Sequence, residues 1–257
     1  MLDYGQVVYL DPQKTGTTFV AEFLRDHLDL ECLCYRKHKP VRGRLHQNAF
    51  HFISVRNPVD QYVSLYKYGL KKGGRLRRRL YKNGLDDLYE GSPQSFNAWL
   101  EKILHDPEVA TYVKDGYENV DRNLIGLQSF RFLSLSFQYP LPLLKIAQKY
   151  QDVRSTYDEH RLHSHVIRLE SLNKDLANLF RGPLAAYAKN KKTALKELKQ
   201  LNRINSTENK GIGRKDISTD NLSAICEAER FLLELYYPEE LKPMMSDEGS
   251  QIMAKAA

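Results

Sequence analysis

Three cysteines in 257 residues, Cys32, Cys34 and Cys226, are too few and too oddly spaced for a disulfide framework or a zinc site. A reducing, cytoplasmic setting is the expectation they raise. The chain also lacks any run of about 18 apolar residues, so no membrane span is expected. Met1 leads almost at once into a core-like strand rather than a signal peptide. There is no internal repeat and no low-complexity linker. Acidic residues are missing from one place in particular: "KKGGRLRRRLYK", Lys71 to Lys82, carries seven cations and no anion. The whole chain has a formal charge of +7, so removing this run leaves a neutral remainder. The basicity is therefore local, and it implies an anionic partner at one place.

What is present is enough for a substantial core, since 42% of the residues are hydrophobic. Three short runs, "QVVYL" (Gln6 to Leu10), "FHFISVR" (Phe50 to Arg56) and "HVIRLE" (His165 to Glu170), are β-branched or aromatic-rich and are followed by turn residues and helical periodicity. A short strand, "ECLCY", is also expected. Strands alternating with helices predict an α/β fold, a parallel β-sheet with helices on both faces. A single domain over 1–257 with a helical insertion at about 80–160 is expected. Helices are predicted over "PQSFNAWLEKILHD", "VDRNLIGLQSFRFLSLSF" and "PLPLLKIAQKYQ", the last broken by Pro140 and Pro142, and over "TALKELKQL" and "NLSAICEAERFLLELYY".

Two stretches at strand ends carry chemistry. In "VVYLDPQKTGTTFVAEFL" a strand runs through a turn rich in Lys, Gly and Thr into a helix, the layout of a phosphate-binding loop. Gly16 lets backbone approach the ligand, Thr17 and Thr18 add hydroxyls, and Lys14 adds a mobile charge. The Gly-x-x-x-x-Gly-Lys-Ser/Thr pattern of nucleoside triphosphatases is absent, and no obvious strand-ending Asp for magnesium is apparent. In "VRNPVDQYVSLYKY", Arg56 leaves a strand and Ser64 follows eight residues later, about two turns along a helix started by Pro58.

Together these stretches resemble the sulfotransferases that use 3′-phosphoadenosine 5′-phosphosulfate. "PQKTGTT" is similar to that family's Pro-Lys-x-Gly-Thr-Thr loop for the 5′-phosphosulfate, with one extra residue between Pro12 and Lys14. "RNPVDQYVS" is similar to its Arg-(Asn/Asp)-Pro turn and Ser for the 3′-phosphate. The resemblance implies a P-loop-type nucleotide-binding core. It assigns Lys14, Thr15, Gly16, Thr17 and Thr18 to the phosphosulfate, and Arg56 and Ser64 to the 3′-phosphate.

"ENKGIGRKDIS" resembles the Arg-Lys-Gly segment that closes over the nucleotide. Lys210 and Gly211 stand in the Lys-Gly positions, Asn209 replaces the Arg, and Arg214 is its candidate substitute. "YRKHKP" resembles a Lys-Thr-His-x-Pro segment and puts His38 at the catalytic histidine's position. Arg36, Lys37 and Lys39 are expected to hold its pKa down and keep it a neutral base. His46, His51 and His163 are lesser substitutes; His51 begins a strand and reads as structural. Glu170 reads equally as a strand-end residue of the family or as a helix N-terminal carboxylate.

The resulting expectation is a metal-free transfer of a sulfuryl group from 3′-phosphoadenosine 5′-phosphosulfate (PAPS) to an acceptor hydroxyl. A glycan, one that can itself be anionic, is the expected acceptor, with no nucleic-acid partner. Tyr66, Tyr68, Tyr81 and Tyr89 are available either to stack on sugars or to pack. The competing readings are a P-loop kinase or triphosphatase, a polyanion- or nucleic-acid-binding module using residues 71–82, and an inactive relative that keeps the cofactor loop.

Overall fold

The computed structural model describes residues 1–41, 46, 48–71, 73–114, 116–200 and 211–241. Its strands are β1 (Leu2–Asp3), β2 (Val7–Leu10), β3 (Cys34–Tyr35), β4 (Phe50–Val55) and β5 (His165–Arg168). Its helices are α1 (Thr17–His27), α2 (Pro58–Leu70), α3 (Arg75–Lys82), α4 (Pro93–His105), α5 (Pro107–Val113) and α6 (Leu127–Ser136). They continue with α7 (Pro140–Lys145), α8 (Tyr150–His160), α9 (Leu172–Arg181), α10 (Lys191–Gln200), α11 (Thr219–Ala228) and α12 (Arg230–Tyr236). The fold is α/β. Among the described residues no helix is long and apolar enough to cross a membrane.

The chain divides into two compact units that interleave in sequence. The first comprises Met1–Arg56, Arg131–Ala147 and Gln151–Asn209; the second comprises Asn57–Phe130, Gln148–Tyr150 and Lys210–Ala257. The stretch expected to be an insertion, 80–160, is thus shared between both.

The first unit holds a five-stranded sheet ordered β3-β1-β2-β4-β5. Of the four strands expected from sequence, β2, β4 and β5 are mutually parallel, with Tyr9 opposite Phe52 and Ile53 opposite Val166, and "ECLCY" supplies β3. The sheet as a whole is mixed rather than parallel, because β1 runs antiparallel to both β2 and β3. The cause is local. Tyr4 N–H donates to the Val7 carbonyl at 2.9 Å, and Gly5 takes φ 75°, a left-handed conformation suited to glycine. This turn folds β1 back onto β2. Two residues are too few to show alternation in sequence, so β1 left no pattern.

Val7 and Tyr9 of β2, Phe52 of β4 and Ile167 of β5 share one core with Val20, Phe23 and Leu24 of α1, Leu176 and Phe180 of α9, and Leu198 of α10. The i, i+3, i+4 spacing of the α1 residues is what turns one helical face to the sheet. Each such side chain, fully buried, contributes roughly 1.5–3 kcal/mol. Val8 and Leu10, which point the other way, are buried too, so β2 is covered on both faces and sits rigidly beneath the loop that follows it.

In the second unit α2 starts at an Asn57 cap, whose Oδ1 accepts from Val59 N–H, with Pro58 at the first helical position. A Ser92–Ser95 capping box starts α4. Tyr66 packs on Phe96 and Trp99 at ring separations of 4.8 and 5.4 Å. Two predicted helices are shorter than expected, for one reason. Glu229 is fully buried, and its carboxylate accepts from the amides of Gln128 and Ser129 and from the hydroxyls of Ser129 and Tyr62. That carboxylate fixes the start of α6 at Leu127 instead of near Val120. Turning it inward also breaks "NLSAICEAERFLLELYY" into α11 and α12 at Glu229, where φ is −100° and ψ 18°.

Candidate phosphate loop and general base

The loop Asp11–Gly16 leaves the end of β2 and enters α1. Gly16 is the residue before the helix, at φ 81°, and a Cβ there would stand 2.7 Å from Leu169 Cδ1. Both dihedral and space therefore favour glycine. α1 has no side-chain cap at its start and no acidic residue in its first turn. The positive end of its dipole and its leading N–H groups are thus not countered by a carboxylate of that turn. Lys14 also takes a left-handed conformation, φ 67°, which costs a non-glycine residue about 1 kcal/mol. Arg56, the residue after β4, donates from Nη1 to the Lys14 carbonyl at 3.4 Å.

The three threonines of the motif differ. Thr15 is only 1% exposed, and its hydroxyl donates to the Pro12 carbonyl at 2.8 Å and lies 2.6 Å from Ser54 Oγ. Ser54 Oγ is in turn 2.6 Å from Tyr9 Oη. Since Thr15 has spent its one proton on Pro12, Ser54 donates to Thr15 and Tyr9 donates to Ser54. Burial pushes the Tyr9 phenol well above its usual range, so that proton stays in place. The expected ligand role of Thr15 is thereby narrowed to its backbone N–H. Thr17 is buried at the helix start, and Thr18 is exposed. The Tyr9–Ser54–Thr15 chain was not anticipated. Its only sequence signal is two hydroxyl residues in strands otherwise apolar but for His51, and buried hydroxyls need partners.

His38 belongs to the same unit. Its backbone, at φ 55°, donates its N–H to both oxygens of the Asp11 carboxylate, at 3.1 and 3.2 Å. Its Nδ1 lies 2.6 Å from the Asp11 carbonyl oxygen. A carbonyl only accepts, so Nδ1 carries the proton and Nε2 carries the lone pair. The pKa of His38 lies below its ordinary value, as expected, but the reason differs. Burial is the largest cause, Asp11 opposes it, and Lys37 adds a smaller lowering. Asp11 itself follows β2 directly, so a strand-ending Asp is present after all. Its side chain is fully buried and accepts from both the Met1 amino group, at 2.6 Å, and the His38 N–H.

Ser64 lies half-buried on α2 in the second unit. In that unit Arg214 binds Glu240 with both terminal nitrogens, and Glu240 Oε1 also accepts from Asn57 Nδ2 at 2.7 Å. The cation expected to stand in for Asn209 thus already holds a carboxylate. Gly211 takes φ 113° with open space where a Cβ would go. Lys210 and Asn209 lie outside the described residues.

The alternative histidines have other work. His51 Nδ1 donates to the Ala49 carbonyl at 2.8 Å, His163 Nε2 bonds Tyr157 Oη at 2.8 Å, and His46 lies 3.3 Å from Asp3. Glu170 is exposed in a short 3-10 turn, Leu169–Ser171. Among the described residues no three His, Cys, Asp or Glu side chains gather as a metal site would require. Compared with known proteins, the chain matches no family model, no curated protein and no solved structure.

Proposed function

We propose that the chain is a sulfotransferase with a P-loop-type nucleotide core, moving a sulfuryl group from 3′-phosphoadenosine 5′-phosphosulfate to a carbohydrate hydroxyl. The observation that carries this reading is that one short segment serves both halves of the chemistry. Asp11 fixes the tautomer of a base, and Lys14 and Gly16, three and five residues later, form a loop suited to a phosphate.

The step is a single displacement. Nε2 of His38 takes the proton of the acceptor hydroxyl as its oxygen bonds to sulfur. The bond from sulfur to the 5′-phosphate oxygen breaks, and adenosine 3′,5′-bisphosphate leaves. Charge gathers on that leaving oxygen, and the Lys14 ammonium and the amides at the start of α1 are the groups suited to balance it. The assignments of Arg56 and Ser64 to the 3′-phosphate rest on the Arg-Asn-Pro turn and its spacing. The resting Glu240 partner of Arg214 makes its contribution conditional on exchange of one anion for another. No metal is needed in this scheme.

Incubation with sulfur-labelled donor and a panel of glycans tests the reading. Label is expected to pass to a glycan with wild-type chain and not with Lys14→Ala. Label transfer that is equal in the two would overturn it.

A further inference from the structure

The basic run absent of acids becomes α3 and its approach, and its cations separate into two sets. Leu76 and Leu80 are buried, and Arg79 donates to the carbonyls of Tyr112 and Val113 at the end of α5, so this side of α3 is anchored. Arg77 lies over the ring of Tyr89, its Cζ 4.7 Å from the centroid, and its shielded Nε and Nη1 have no hydrogen-bond partner among the described residues. Arg75, Arg78 and Lys82 are exposed, with Lys71 exposed just before the helix. Positions 75, 78 and 82 follow the i, i+3, i+7 spacing of one helical face. None of these four makes an ion pair among the described residues.

The layout selects its ligand. From Arg75 to Lys82 the axis rises about 10 Å, so these charges run along a line rather than converging on a point. A line of cations suits a chain of regularly spaced anions and not a lone phosphate. A membrane surface fits poorly, because both leucines of α3 are spent inside the fold and only the Tyr81 ring is left to insert. Single-stranded nucleic acid is gripped by successive aromatic platforms. Beside this face stands Tyr81, 61% exposed, with Arg77 over its ring; Tyr68 of α2, 45% exposed, lies with its ring against Gly73 and Gly74. On α3 itself a single exposed ring stands beside a row of guanidinium and ammonium groups, which fits a sugar with carboxylate or sulfate substituents.

We propose that the outward face of α3, Arg75, Arg78 and Lys82 with Tyr81, is a docking strip for an anionic polysaccharide. Its role as acceptor-binding surface rests on the sulfotransferase reading, whereas the docking itself does not. Arginine supplies paired donors to each sulfate or carboxylate, and the anchored Arg77 and Arg79 hold the strip in place before the ligand arrives.

The test is fluorescence anisotropy of the full chain with a labelled heparin decasaccharide at several salt concentrations. Arg75→Ala/Arg78→Ala/Lys82→Ala is expected to weaken binding roughly tenfold or more, the loss of three contacts worth a few-fold each, and to flatten the salt dependence. A variant with the same loss of charge on α10, Lys191→Ala/Lys192→Ala/Lys196→Ala, is expected to stay within about twofold. Equal weakening by both variants overturns the strip. Tighter binding of a single-stranded RNA of matched charge, or of phosphatidylserine vesicles, overturns the polysaccharide as its ligand. Thermal stabilisation by adenosine 3′,5′-bisphosphate is measured on the same samples. Decasaccharide binding lost only in the α3 variant, with no stabilisation by the bisphosphate, upholds the strip and fails the donor reading. Stabilisation without decasaccharide binding does the reverse.

Discussion

His38 and Asp11 are tied twice, through the backbone N–H of His38 to the Asp11 carboxylate and through Nδ1 to the Asp11 carbonyl. The imidazole is thereby fixed in position and tautomer before any acceptor binds. His38→Ala is expected to lower turnover by about 10²–10⁴, the usual worth of a general base, while leaving stabilisation by adenosine 3′,5′-bisphosphate intact. Because burial lowers its pKa, the acid limb of the rate profile is expected to reach half-height below pH 6.5. A limb centred above that value would remove His38 from the role.

Gly16 offers a second test, this time of geometry. Gly16→Ala combines a left-handed φ of 81° with a Cβ 2.7 Å from Leu169 Cδ1. A loss of about 1–3 kcal/mol in urea unfolding is expected, with donor affinity falling as the loop shifts. Leu169→Ala in the same background restores room but not the dihedral, so it is expected to recover only part.

Glu240 occupies Arg214 and also takes a hydrogen bond from Asn57. Arg214 is 41% exposed, so Glu240→Gln is expected to change stability by less than about 1 kcal/mol. If Arg214 serves the nucleotide, the same variant binds adenosine 3′,5′-bisphosphate more tightly in calorimetry, since a competing carboxylate is gone. Unchanged affinity would detach Arg214 from the donor site.

His163 is 3% exposed, and its pKa is pushed down to about 3, chiefly by burial. Unfolded, it titrates near 6.5, so between those values the unfolded chain binds the extra proton. Stability from this group is full above pH 6.5 and falls with pH, by at most about 1.4 kcal/mol per unit, until the folded-state pKa is reached. Urea midpoints at pH 7, 6 and 5 are expected to fall more steeply in wild type than in His163→Gln.

The parallel strands, the Lys14 loop and its glycine were legible because each depends on neighbours in sequence. β2 alternates nothing but is wholly apolar between turn signals, and Gly16 stands where a strand gives way to helical spacing. The antiparallel strand was not legible, since β1 has two residues and owes its direction to the turn at Gly5. The break at Glu229 was hidden for a different reason. Its carboxylate is held by residues about 100 positions away, and periodicity over a window says nothing of that. The same holds for Asp11, whose partner His38 lies 27 residues on, and for Ser54, which meets Thr15 across 39. In each case a buried polar group found its partner through tertiary structure and overrode the local pattern.

On the proposed function, the Lys14 loop receives a nucleotide phosphorylated at both ends of its ribose. A thermal-shift titration of adenosine 3′,5′-bisphosphate against ATP with magnesium, at matched concentrations and moderate salt, tests it most directly. At about a hundred times its dissociation constant a ligand stabilises the folded state by roughly 2.7 kcal/mol, a readily measured shift. Stabilisation by the bisphosphate, absent in Lys14→Ala and weaker with ATP, is the predicted result. Stabilisation by ATP and magnesium alone, or by neither nucleotide, would contradict it.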